Sequence, residues 1–228
     1  MLWFIKKIEM IRPGLIILLF SALYSCNQSS VKPALKSKET VPKNQTLKET
    51  SLVILGTIQD AGSPQIGCVK ECCIGLSVAS KINRKVSALG IIDPDNNTKY
   101  LIDATPDIVS QTEQLNSLST SKELLNGIFL THAHIGHYTG LMHLGKEAMN
   151  SNNIPVFTMS RMKTYLEKNG PWSQLVNNKN IQLKLINDRD TIHLNNKLKL
   201  IPFLVPHRDE YSETVGYKII GPNRKALF

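Results

Sequence analysis

Residues 131–137 read Thr-His-Ala-His-Ile-Gly-His, and no other part of the chain constrains it more. They follow an apolar run, Gly127-Ile128-Phe129-Leu130, that reads as a buried strand, and they open into Tyr138-Thr139-Gly140-Leu141-Met142. Side chains alternate along an extended segment, so His132 and His134 leave the strand end on the same side. His137 falls where the chain turns into a helix and can close on the same point. Four of the six histidines lie between positions 132 and 143. Neutral imidazole is a favoured ligand for zinc and similar divalent ions. The run therefore predicts a metal site built by His132, His134 and His137. His143 lies off the apolar face of the helix expected over 140–149 and reads as a surface histidine.

Around this run the sequence alternates strand and helix signals. Strands are expected over 51–57, 86–92 and 99–103, with Asp93-Pro94-Asp95-Asn96-Asn97 as the turn of a hairpin. A helix is expected from Pro106 to Leu118, with Ile108, Val109 and Leu115 as core positions, and another over 160–168, stopped by Asn169-Gly170-Pro171. Further strands are expected over 155–158, 181–186, 191–194, 198–204 and 214–220. Strands with intervening helices, followed by a run of strands, predict a layered α/β domain with mixed sheets.

The first 50 residues have another character. Lys6, Lys7 and Arg12 precede an apolar run, Leu15 to Leu23, that is short for a membrane span. The run ends in Leu23-Tyr24-Ser25-Cys26, which resembles a bacterial lipoprotein signal, with Tyr24 a departure from the usual small residue. Residues 1–25 are then the signal, Cys26 is the lipidated residue, 26–50 is a flexible tether and 51–228 is the domain. An uncleaved anchor with an incidental cysteine is the alternative. Either way the domain is expected outside the cytoplasm, membrane-anchored on the periplasmic or outer-membrane side of a bacterium. The net charge of +9 is concentrated here: residues 1–50 carry 8 Lys+Arg against 3 Asp+Glu, and 51–228 carry 19 against 15. The domain has no basic block interleaved with aromatics, so a nucleic-acid partner is not expected.

The histidine run resembles the His-x-His-x-Asp-His signature of the metallo-β-lactamase superfamily. Leu101-Ile102-Asp103-Ala104-Thr105-Pro106-Asp107 is similar to the strand-then-Asp segment before that signature. Val205-Pro206-His207-Arg208 with Thr214-Val215-Gly216-Tyr217 is similar to its later histidine and following strand. Asp60-Ala61-Gly62-Ser63-Pro64-Gln65-Ile66-Gly67-Cys68, with Cys72 and Cys73, resembles the N-terminal loop of the branch named for pyrroloquinoline quinone biosynthesis protein B. The resemblance spans residues 51–228. It implies an αββα sandwich with a metal site at one edge of the sheets. It also implies His132, His134 and His207 as ligands of a first metal and His137 as a ligand of a second. The implied chemistry is attack by a zinc-bound hydroxide on an ester, amide or phosphodiester of a small molecule. The specificity loops do not give the substrate.

Two departures qualify what is implied. Gly136 stands where the signature has Asp, so one zinc is expected here and two in a longer relative; iron or manganese would suit the same donors. The pattern also continues to a later Asp and a final His that this sequence does not reach, so the sandwich is expected to be incomplete at its C-terminal end. A non-catalytic or remnant metal-binding relative, or a role in pyrroloquinoline quinone cofactor biosynthesis, is the alternative function. Cys68, Cys72 and Cys73 allow either a structural zinc or a disulfide between Cys68 and one of the pair. Asp103 can hold a ligand histidine or cap the helix that follows it. Arg208 to Glu213 reads as a solvated loop beside His207, with a substrate contact as the alternative.

Overall fold

A computed structural model describes residues 46–228. Cys26, the signal segment and all but the end of the tether lie outside the described residues.

The alternation of the apolar runs produces two sheets. In the first, β1 (Ser51–Gly56), β2 (Ala88–Asp93) and β3 (Thr98–Ile102) are antiparallel neighbours. β4 (Gly127–Phe129), β5 (Ile154–Thr158) and β6 (Ile181–Leu185) continue from β3 in parallel, in sequence order. The second sheet is antiparallel, with β7 (Ile192–His193), β8 (Lys199–Leu204), β9 (Val215–Ile220) and β10 (Lys225–Leu227) in that order. The last apolar residues thus form an edge strand, and Phe228 exchanges both backbone hydrogen bonds with Tyr217, at 2.9 and 3.0 Å.

Every residue of β2 is buried, as a strand covered on both faces requires. Leu89 and Ile91, with Tyr100, Ile102 and Phe129, face Leu200, Tyr217 and Ile219 of the second sheet. Phe129 stacks on Phe157 at 4.3 Å and meets Tyr217 edge-on at 5.6 Å. On the other face of the first sheet Ala88, Ile92, Leu101, Ile128 and Val156 are covered by helices. The helices are α1 (Val78–Asn83), α2 (Ile108–Leu118), α3 (Ile135–Tyr138), α4 (Ser160–Lys168) and α5 (Trp172–Asn177). Ile108 and Leu115 of α2, Met162 and Leu166 of α4 and Leu175 of α5 fill that core. The result is the expected layered sandwich. Among the described residues it comprises one helical layer and both sheets.

Several expectations shift. α2 begins at Ile108 rather than Pro106, and Val109 is exposed. The helix expected over 140–149 is a 3-10 turn over Thr139–Leu144. Gly140 abuts the backbone of Ala104 and Thr105, leaving no room for a side chain, and its N–H bonds the Ala104 carbonyl at 2.9 Å. That close approach bends the segment out of α-helical register. α1 and α5 are additional to the expected helices; α5 starts straight after Pro171, a residue suited to a helix start.

Candidate metal centre

The carboxyl ends of β3 and β4 position the site. Asp103 follows β3 fully buried, in a left-handed conformation with φ 67°. Its carboxylate accepts from the Thr131 backbone N–H at 2.8 Å and from the Thr131 hydroxyl at 2.9 Å. Its other oxygen accepts from His137 Nδ1 at 2.6 Å. The second sheet holds the same segment from the opposite side. Tyr217 Oη donates to the Leu130 carbonyl at 2.7 Å, and Val215 N–H to the Thr131 carbonyl at 3.1 Å. The Ala133 N–H donates to Ser212 Oγ at 2.8 Å.

For neutral rings, these partners assign which imidazole nitrogens carry lone pairs. The single hydroxyl proton of Thr131 goes to Asp103, so its oxygen accepts from His132 Nδ1, 2.9 Å away. His132 Nε2 is left unprotonated. His134 Nε2 donates to Glu210 Oε2 at 3.0 Å, which in the neutral ring puts the lone pair on Nδ1. The two free nitrogens face each other at 2.9 Å, and His207 Nε2 lies 3.1 Å from His134 Nδ1. Neighbouring ligands of a tetrahedral zinc, with bonds of about 2.0–2.1 Å, sit roughly 3.3 Å apart. A convergence of imidazole lone pairs with no proton between the first two suits a divalent cation in both chemistry and spacing.

The electrostatics agree. Burial, reinforced by the neighbouring His137, His134 and His207, lowers the pKa of His132 to about 3, so its ring stays neutral. Burial also acts to lower His137, but hydrogen bonds and charge from Asp103 and Asp60 outweigh it and lift His137 to about 9. Burial raises Asp60, yet the charge and hydrogen bond of His137 bring its pKa below the ordinary carboxylate value. The hydrogen bond from His134 lowers Glu210.

Of the residues expected at the site, His132, His134 and His207 come together, and their donor atoms lie within 4.8 Å of one another. His137 sits beside them, its ring 4.3 Å from that of His132, while His143 is exposed. Asp103 holds Thr131 and His137 and does not cap α2, whose N-cap is Asp107. The loop over 208–213 does more than meet solvent. Glu210 fixes His134, Ser212 receives Ala133, and Glu213 accepts from the first amides of α4. Sequence reasoning gave Asp60 no site role. Its Oδ1 lies 2.9 Å from His137 Nε2 and its Oδ2 3.9 Å from His134 Nδ1. The partners are 77 residues apart, so no local pattern announces the contact. Cys68 and Cys73 are joined in a disulfide and Cys72 is free. The three sulfurs nevertheless lie within 4.8 Å of one another.

A family model described as a beta-lactamase superfamily domain matches residues 98–228. Among solved structures the chain is similar to zinc-bound PqqB from Methylobacterium extorquens, at 20% identity and TM-score 0.60, over 77% of this chain and 63% of that one. It is similar to a diphosphatase of the PhnP family, at 21% identity and TM-score 0.57, over 75% and 61%. It is also similar to a putative metallo-β-lactamase from Thermotoga maritima, at 15% identity and TM-score 0.50, over 79% and 77%. The chain thus spans under two thirds of the length of the first two. No curated protein matches it.

Proposed function

The chain belongs to the beta-lactamase superfamily, and from that premise we propose that it is a metal-dependent hydrolase of the PqqB-like branch. The observation that carries the reading is the convergence of His132 Nε2, His134 Nδ1 and His207 Nε2. Three imidazoles suit zinc, with iron or manganese as competitors. A cation held there would act as a Lewis acid and bring the pKa of a water molecule near neutrality.

The chain's own residues orient and neutralise. Asp103, through Thr131, holds His132 with Nε2 inward, and Glu210 holds His134 with Nδ1 inward. The burial that keeps His132 neutral also keeps it ready to bind without first losing a proton. The bond broken is an ester, amide or phosphodiester of a small molecule. A non-catalytic metal-binding role is the second reading, favoured by Gly136 in place of the signature carboxylate.

We further propose export and anchoring through Cys26. The Cys68–Cys73 disulfide supports an oxidising compartment. Among the described residues no helix is long and apolar enough to cross a membrane.

The test is elemental analysis of the purified chain, followed by assays on p-nitrophenyl acetate, bis-p-nitrophenyl phosphate and an anilide. Metal with turnover of one of these supports the hydrolase. Metal without turnover favours the second reading, and a chain that takes up no zinc, iron or manganese sinks both.

A further inference from the structure

The loop after β1 brings a carboxylate to the histidines at the one place where the signature run lacks one. A Cβ on Gly136 would lie 2.5 Å from the Asp60 Cα, 2.8 Å from its Cβ and 3.1 Å from its carboxyl carbon. The first of these is a backbone atom, so no side chain at position 136 coexists with this loop path. Conversely, the absence of a side chain at 136 is what lets Asp60 in.

We propose that Asp60 is a metal ligand, and that with His137 it forms a second cation position beside the three imidazoles, replacing the carboxylate that position 136 lacks. The proposal rests on the reading of His132, His134 and His207 as a cation site.

Three observations carry it. First, Asp60 Oδ1 and His137 Nε2 point at each other at 2.9 Å, and with a His132 ring nitrogen they form a group whose donor atoms lie within 4.8 Å of one another. Second, the remaining nitrogen of His137 is committed to the fully buried Asp103 at 2.6 Å. That arrangement, with the outer nitrogen donating to a carboxylate and the inner one turned to the site, is how ligand histidines are usually oriented. Third, the carboxylate of Asp60 straddles the two positions, with Oδ1 on His137 and Oδ2 3.9 Å from His134 Nδ1.

The loop is also held in place for this role. Thr57 and Ile58 N–H both bond the Lys85 carbonyl, at 3.1 and 3.0 Å, and Ser87 N–H bonds the Ile58 carbonyl at 2.8 Å. A turn closes behind Asp60 through Gly62 N–H to the Gln59 carbonyl at 2.9 Å. One carboxylate and one imidazole leave the other coordination places to solvent and substrate. The competing account is a plain ion pair, in which Asp60 only balances a protonated His137.

The experiment titrates the metal-free full chain with Co2+, read by its visible absorption and by elemental analysis after gel filtration. The unmodified chain is expected to take up two equivalents. Asp60→Ala and Asp60→Asn are expected to keep one and to weaken the second more than about 100-fold, beyond the loss typical of an outer-sphere partner. Gly136→Ala removes no donor, yet is expected to lose the second equivalent by pushing the Asp60 backbone away. Thermal melting in chelator checks that each variant folds. A single equivalent unaffected by Asp60→Ala overturns the proposal. So does an Asp60→Asn variant that binds both ions with unchanged affinity, which would make Asp60 a positioning residue. Loss of all binding only in His207→Ala, with Asp60 silent, overturns this inference and leaves the three-imidazole site standing; no uptake by the unmodified chain overturns both.

Discussion

Asp103 takes both the backbone N–H and the hydroxyl of Thr131, at 2.8 and 2.9 Å, across 28 residues of chain. Because the Thr131 hydroxyl also accepts from His132, and the second Asp103 oxygen accepts from His137, one buried carboxylate orients two imidazoles. The left-handed backbone at Asp103, φ 67°, is a strained conformation held by this network and by the Asp103 N–H to Phe129 carbonyl bond at 2.9 Å.

Asp103→Asn tests that arrangement. The amide keeps the shape but loses the negative charge that strengthens each of these bonds, and hydrogen bonds to charged groups are worth about 1.5–3 kcal/mol. The variant is expected to lose about 2–3 kcal/mol in urea unfolding and about 10–100-fold in zinc affinity, the usual cost of losing an outer-sphere partner. Unchanged zinc affinity would show that the imidazoles hold their orientation without Asp103.

Glu213 offers a second handle, on His207. Its carboxylate accepts from Arg161 N–H at 3.0 Å and Met162 N–H at 3.3 Å, at the start of α4, where the N-cap Met159 provides no side-chain acceptor. An acceptor here satisfies amides that would otherwise have no partner and favours the positive end of the helix. Arg161 donates back to the Asp209 carbonyl at 2.7 Å, so the His207 loop is clamped to α4. Glu213→Ala is expected to cost about 1–2 kcal/mol, as loss of a helix cap does. Hydrogen exchange should rise both at Arg161 and Met162 and across 205–214. Faster exchange confined to α4 would mean that the loop is held by other contacts.

What the sequence made legible follows from range. The period-2 spacing of His132 and His134 and the apolar runs of β2 to β4 are local signals, and the structure places them as expected. His207 was reached only through its resemblance, because 73 residues separate it from His134. Asp60, Glu210 and Glu213 act through contacts 51 to 77 residues long, and no periodicity marks them. Gly136 looked like the loss of a carboxylate because only the run itself was in view; the structure shows the space it opens filled by Asp60. The 3-10 turn at Thr139–Leu144 is hidden from the sequence for the same reason, since the backbone that crowds Gly140 belongs to Ala104 and Thr105.

The metal-free protein should show a pH window. His137, lifted to about 9 by Asp103 and Asp60 against the pull of burial, binds its proton more tightly folded than unfolded. Its contribution to stability is complete below about 6.5, the unfolded value, and is lost as pH rises through about 9. His132 works in the opposite direction. With its folded pKa near 3, it stays neutral while the unfolded chain takes up a proton, so stability falls as pH drops from the unfolded value toward 3. Urea midpoints measured in chelator are expected to be highest between these limits. His137→Gln should flatten the alkaline side and also change the acid side, because His137 helps to lower both His132 and Asp60. A wild-type profile that stays level through pH 9 would contradict the ion-pair arrangement around His137.

Removing and restoring the metal separates the site from the rest of the fold. Zinc that binds only the folded chain stabilises it by about 2.7 kcal/mol at a free concentration 100 times its dissociation constant. For a domain of this size that is a rise of roughly 5–10 °C in Tm. His207 is exposed and contributes to no core, so His207→Ala should melt like the parent in chelator. It should lose most of the zinc-dependent rise, because one of the three converging nitrogens is gone while His132 and His134 remain in place. An undiminished rise in His207→Ala would place the stabilising zinc elsewhere, with Asp60 and His137 as the next donors to examine.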